Sequence, residues 1–510
     1  MRRTITALLV ALALAACSPG SSPAPTTTTV AALTPLPDAT VPTTSTAPAT
    51  TTSTTTTTTT TTTIAPGLVP PSVVGHPWGQ VTGLTMFRGN PTRTFYGTGP
   101  LPDGLEVLWR FPDEPMCGNS PVGGQPKVWC GTGWTGEPVI WERPDGVTEV
   151  IFGGYDKNIH FLDAATGERT RPDFYMGDII KGSVVLDPDG YPLLYAGSRD
   201  PRYRIIALDR ETPVELWSLD AAAVAGMWNN DWDSSAVILN DMLLEGGENS
   251  WWFAVKLNRE RDETGLVTVQ PQILYQTPMW TDELLRAVGR QQSVETSTAV
   301  FGDTAYVANS AGRVVGFDIS EGDWNRDRLV FDYWMGDDVD ATIVIDAEGK
   351  LYVASEIDLT TARGAEVGQL VKLDPDLADP LVWSVAVPSV GGVAGGIWAT
   401  PALGNGVLYA ATNTGDLLAV DTTDGTVVWS DNIGLHAWSS PVIVDDTLVV
   451  AVDCDLDSGF RAYDISNPYQ PEQIWESRVT GGCIESTPGV WNGTMYVGSR
   501  DGFFYALGAN

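Results

Sequence analysis

The chain has 510 residues, 43% hydrophobic and 9% aromatic, with 53 Gly, 19 Trp and a formal charge of −34. That acidity excludes a binder of the nucleic-acid backbone, which needs a basic face, and a polybasic membrane-surface protein. Three histidines in the whole chain, His76, His160 and His436, argue against a multi-histidine metal centre or a histidine-driven hydrolase.

Residues 1–16 read as an export signal: Met1-Arg2-Arg3 is a short basic start, and Ile5 to Ala16 is an apolar run too short to span a bilayer. It ends Leu14-Ala15-Ala16-Cys17, which resembles the lipobox of bacterial lipoproteins. The resemblance implies cleavage before Cys17, lipid on that cysteine and an extracytoplasmic body held to the cell membrane by the lipid alone. Residues 17–75 are rich in Thr, Ser, Pro and Ala, with an unbroken run from Thr54 to Thr63. Such a stretch has too little apolar surface to offset its ordering entropy, so it reads as an extended tether.

The body, residues 76–510, repeats one pattern. A Ser/Thr-(Pro)-apolar strand is followed by an apolar strand ending in small residues, then a strand ending apolar-Asp, then often a strand with Trp. The sixth unit is the cleanest, with Thr400-Pro401-Ala402, Leu408-Tyr409-Ala410, Leu418-Ala419-Val420-Asp421 and Val428-Trp429. Four short strands in a period of about 40–60 residues are the mark of a β-propeller, whose units must pack in a ring. Eight units are counted. The last, from Thr487 to Leu507, lacks its Trp strand, and Leu105-Glu106-Val107-Leu108-Trp109-Arg110 is an orphan strand of that type. The expected fold is therefore all-β, an eight-bladed propeller closed by its N-terminal strand. The alternative is seven blades, with the weak third unit as an insertion.

The run Asn413-Thr414-Gly415-Asp416-Leu417-Leu418-Ala419-Val420-Asp421, followed by Gly425-Thr426-Val427-Val428-Trp429, resembles PQQ-type propeller repeats. These repeats build the quinoprotein-dehydrogenase-like superfamily and the envelope lipoprotein that supports outer-membrane barrel assembly. Met86-Phe87-Arg88-Gly89-Asn90 resembles a lead-in found there. The dehydrogenases stack their quinone on a pair of adjacent cysteines and hold Ca²⁺ with a carboxylate/Asn/Asp set. No two cysteines are adjacent here, so the resemblance implies the fold without PQQ.

Four cysteines remain in an exported body, which makes pairing the default, with three connectivities open. Proximity in the repeat assigns Cys117 to Cys130 and Cys454 to Cys483. Asp453, Asp455 and Asp457 alternate before Gly459, as in Ca²⁺ loops, but the spacing lacks the bidentate Glu at position twelve. An acidic hairpin turn is the competing reading.

Lys181, Asp233, Thr296, Asp340, Trp398, Trp438 and Glu485 stand two residues before the Ser/Thr that opens successive units. Asp178, Asp231, Glu295 and Asp338 are placed one loop further out. In a propeller the first set gathers round the mouth of the central channel. There it would suit a cation, a sugar or an amine-bearing ligand; polar side chains at a wet channel entrance are the other reading. The functional expectation is a monomeric, surface-anchored, non-catalytic binding or scaffold propeller of the bacterial envelope. Its partner would be an envelope protein, glycan or small molecule. A PQQ-dependent or other envelope enzyme working at the channel mouth is the alternative.

Overall fold

The computed structural model describes residues 67–134, 136–454 and 458–509, within a unit spanning Ile64–Asn510. The signal, Cys17 and the tether up to residue 66 fall outside the described residues, as do Asp455 and Asp457.

Eight antiparallel sheets follow one another along the chain. Their inner strands are Val139–Glu142, Val185–Leu186, Val237–Leu239, Ala299–Phe301, Val344–Ile345, Ala402–Gly404, Val442–Val444 and Gly489–Trp491. The eighth sheet is completed by Glu106–Phe111, which pairs antiparallel with Phe504–Gly508. The inner strands of the eighth and first blades touch, so the ring closes and no blade is left with an open seam. The third blade is a full blade. A small hairpin, Glu260–Arg261 with Val267–Thr268, is inserted before its outer strand Gln272–Pro278, which is why its repeat is faint in the sequence.

Each residue type in the repeat has a physical job. Second strands such as Leu351–Ala354 and Val407–Ala411 are buried along their whole length between neighbouring blades, hence continuous apolar runs rather than alternation. The outer-strand tryptophan docks on the next blade. Trp109 Nε1 donates to Ala164 O at 2.9 Å and Trp383 Nε1 to Thr422 O at 3.0 Å. A Cβ at Gly167 or Gly425 would lie 2.8 Å from those indole rings, so the turn glycine is needed both for its positive φ and for this close approach. The opening Ser/Thr links blades: its hydroxyl accepts the amide of the equivalent residue one blade earlier. The series includes Ser235 N to Ser297 Oγ, Ser297 N to Thr342 Oγ1, Thr342 N to Thr400 Oγ1 and Thr400 N to Ser440 Oγ, at 2.9–3.0 Å.

Two expectations are corrected. The body starts before residue 76: Val69 is buried, bridges Gly302 of the fourth blade through two backbone hydrogen bonds, and packs with Val73 against the third and fourth blades. The lead-in around Met86 is also more than an approach to the closing strand, because residues 83–98 fill the central channel. Their backbone bonds to the far ends of inner strands: Gly83 and Leu84 pair with Trp141 and Ile140, Leu186 N donates to Thr85 O, Val300 N to Pro91 O, and Thr98 N to Val490 O. Arg88 and Arg93 are fully buried. Arg88 donates to Thr400 O and Pro441 O, and Arg93 to Ser235 O, Thr298 O and Phe87 O. Each guanidinium ties blades together from inside the ring. Burial pulls the Arg93 pKa down to about 10, still well above neutrality.

Candidate site at the channel mouth

The channel segment occupies one end of the ring. At the other, the hydroxyl series ends and the residues before it line a mouth. The series also fixes which residues these are. Because Ser297, not Thr298, is the linking hydroxyl, the equivalent of Asp233 and Asp340 in the fourth blade is Glu295. Thr296 turns away and bonds the backbone of Ala308. The Ser-Thr doublet made the count ambiguous by one, and Glu295 was missed as a mouth residue for that reason.

The mouth is polarised around the ring. On the second and third blades, the Lys181 ammonium is in direct contact with Asp233 and 3.4 Å from Glu248. Arg199 pairs with Asp231 at 2.5 Å, and Asn229 donates to Glu248 at 2.9 Å. Asp233, Glu248 and Glu295 each bring one carboxylate oxygen within 4.8 Å of the others. On the fourth and fifth blades, Ser293 donates to Glu295 at 2.8 Å and Ser310 to Asp340 at 3.2 Å. Asp338 and Glu356 lie buried beside Asp340.

Crowding of buried carboxylates sets their proton affinities. Burial raises Asp233 well above the usual range, against the pull of Lys181. Burial and the charge of Glu248 push Asp231 up to about 6. Burial and the neighbouring Asp340 charge raise Glu295, Asp338 and Glu356 strongly, and Asp340 is raised by burial too. Glu248 runs the other way: burial opposes its charge, but Lys181 and the hydrogen bonds from its neighbours outweigh burial. Burial likewise opposes the Lys181 charge and is overcome by Asp233, Glu248 and Glu295. Lys181 is therefore an ammonium fixed among carboxylates.

The sixth and seventh blades supply an aromatic wall. Trp398 and Trp438 stack at 3.9 Å with 20° between planes, and the His436 ring lies 3.4 Å from that of Trp438. Trp438 Nε1 donates to Asn413 Oδ1 at 3.0 Å. On the eighth blade Glu485 sits between His436, at 3.7 Å, and Arg500, at 3.5 Å. The structure thus brings Lys181, Asp233 and Asp340 together in the acidic crescent, with Trp398 and Trp438 beside it and Glu485 in a separate ion-paired corner.

The cysteines pair Cys117–Cys130 and Cys454–Cys483. The first staples the hairpin Cys117–Asn119 with Val128–Cys130, whose Trp129 lies under the Arg500 guanidinium. His436, Cys454, Cys483 and Glu485 bring ligand atoms within 4.8 Å of one another, but both sulfurs are spent in the disulfide. Asp453 is paired with Arg478 at 2.6 Å. A cleft of about 700 Å³ opens on the opposite face beside Tyr96, Asn405 and Asp445. There the Asp346 carboxylate accepts from Tyr352 Oη at 2.9 Å.

Comparison with known proteins agrees with this architecture. The family described as PQQ_2, outer membrane protein assembly factor BamB, matches residues 366–470. Outer membrane protein assembly factor BamB of Moranella endobia (strain PCIT) is 27% identical over 222 residues, covering 40% of this chain and 51% of that protein. The match thus spans about half of the relative's length. The crystal structure of BamB from Moraxella catarrhalis superposes with a TM-score of 0.50 at 16% identity, over 80% of this chain and 98% of that one. Saccharomyces cerevisiae Sqt1 superposes at 0.53 with 9% identity, over 74% and 96%; these structural likenesses show the fold. The fold and repeat define an eight-bladed β-propeller of PQQ-like repeats. Within that class, stretches of the chain are similar to BamB.

Proposed function

We propose that this chain is a non-catalytic envelope scaffold, lipid-anchored through Cys17 on a tether ending near residue 66, which holds an envelope protein on the face around the channel mouth. The polarised mouth carries the reading: an acidic crescent stands beside an aromatic wall, above a channel that the chain's own residues fill. Around it, exposed apolar side chains stand on loops at the same end of the ring, among them Trp228, Val390 and Leu435. Apolar anchors around a charged centre are the make-up of a protein-binding surface. Similarity to an outer membrane protein assembly factor supports a scaffold role over chemistry.

Anchoring is tested by palmitate labelling: the wild type is expected to carry label that Cys17→Ser removes, and label retained in the variant would reject the anchor. Partner binding is tested by purifying the tagged protein from detergent-solubilised membranes. Trp228→Ala with Leu435→Ala should deplete one envelope protein that Asn405→Ala, on the opposite face, retains. Equal recovery from all variants would reject the mouth as the docking face.

A further inference from the structure

The acidic crescent divides into two parts with different charge balance. Asp231, Asp233 and Glu248 have Arg199 and Lys181 as ion-pair partners. For Glu295, Asp338, Asp340 and Glu356 no ion pair is found among the described residues. Ser293 donates to Glu295 and Ser310 to Asp340, and the Asp340 carboxyl is also hydrogen-bonded to those of Asp338 and Glu356. Asp338 is 5% exposed, and its Oδ1 has no hydrogen-bond partner. Asp340 and Glu295 are only partly buried, so the group is open to the mouth. The next position round the ring is Trp398, two residues before Thr400, whose hydroxyl accepts from Thr342 two residues after Asp340.

We propose that Glu295, Asp338, Asp340 and Glu356, with Trp398 as the adjoining wall, form a binding site for a protonated primary amine, such as the end of a lysine side chain. Three observations favour this cation over a metal ion. A Ca²⁺ ion takes oxygens at about 2.3–2.6 Å, which requires ligand oxygens within about 5 Å of one another. Among the described residues the carboxylate triad that converges that closely is Asp233–Glu248–Glu295, and the Lys181 ammonium already lies against two of its members. Lys181 itself shows that a primary ammonium fits this crescent. Finally, a bare metal ion has no use for the stacked Trp398–Trp438 wall, whereas an alkylammonium gains from both its aliphatic stem and its charge against an indole face.

The inference rests on the mouth being the binding face and names the chemistry that face recognises. Its test uses the purified full-length protein in detergent, titrated with cadaverine and followed by tryptophan fluorescence and calorimetry. The neutral isostere 1,5-pentanediol and Ca²⁺ are run at matched ionic strength. Cadaverine is expected to saturate a single site, with affinity at least tenfold lower in Asp340→Asn and in Glu356→Gln and unchanged in Asp445→Asn on the opposite face. Melting curves of each variant verify that it is folded, and either conservative variant suffices. No saturable uptake of cadaverine, equal response to pentanediol, or uptake of Ca²⁺ without cadaverine would overturn the proposal. Amine binding that persists while the membrane protein is lost from no mouth variant would instead keep the amine site and reject the protein-scaffold reading.

Discussion

Arg93→Met removes the guanidinium at the centre of the ring while keeping most of the side-chain volume. In the native protein that group donates to Thr298 O at 3.0 Å through Nε, to Ser235 O at 2.9 Å and to Phe87 O at 2.7 Å. Hydrogen bonds from a charged donor contribute about 1.5–3 kcal/mol each, and a stranded buried carbonyl costs about 1–3 kcal/mol. Part of this is returned because a charge no longer has to be buried. A net loss of about 4 kcal/mol is expected. For a unit spanning Ile64–Asn510, the usual unfolding entropy per residue gives roughly 0.9 kcal/mol/K, so the melting temperature should fall by about 4 °C. Differential scanning calorimetry at pH 7 reads this directly, and Arg93→Lys, which keeps one charged donor, should recover part of it. A shift of less than 1 °C for Arg93→Met would show that the channel segment does not brace the blades.

A chain starting at about residue 115 lacks Glu106–Phe111 and leaves the edge of Phe504–Gly508 unpaired; it should aggregate or be cut rapidly by protease, and melting like the full chain would refute the closure. Glu245 is buried, with Ser234 donating to it at 2.6 Å, and burial lifts its pKa to about 8 from 4.5. The folded state therefore holds a proton that the unfolded state releases, so this group's stabilisation is complete below about pH 4.5 and is lost as pH rises through about 8. Glu245→Gln should melt increasingly above the wild type between pH 5 and pH 9, by a difference on the order of a few kcal/mol in stability; a flat difference across that range would contradict the sign. Cys454→Ser with Cys483→Ser opens a loop closed across 29 residues, which should cost about 3–4 kcal/mol in the chain-entropy treatment, and an unchanged melting temperature would count against a stabilising role.

The repeat was legible because each of its features answers a local need: apolar second strands, a tryptophan that docks on the next blade's turn, and a hydroxyl that links inner strands. These recur with fixed spacing, so blade number, the closing strand and both disulfide pairings could be read. The channel segment could not be read. Arg88 and Arg93 bind backbone carbonyls from blades far apart in sequence, and a carbonyl leaves no trace in residue identity. Lys181, Asp233 and Asp340 were found because ring symmetry brings equivalent positions together. Glu295 was misplaced by the Ser297-Thr298 doublet, since two adjacent hydroxyls offer two registers and only the inter-blade bond selects one. Asp338, two residues before Asp340, was legible as a neighbour one loop further out, whereas Glu356 lies on the far side of its blade's second strand and only folding brings it to Asp340.

The claim that the mouth is the working face is tested most directly by photo-crosslinking in intact cells that make the protein. A photoreactive amino acid is placed at Trp228 or Leu435 on the mouth side and at Asn405 on the opposite face. The account predicts one envelope-protein adduct from the two mouth positions, lost on Asp340→Asn, and none from position 405. An adduct formed from position 405 and absent from both mouth positions would contradict it.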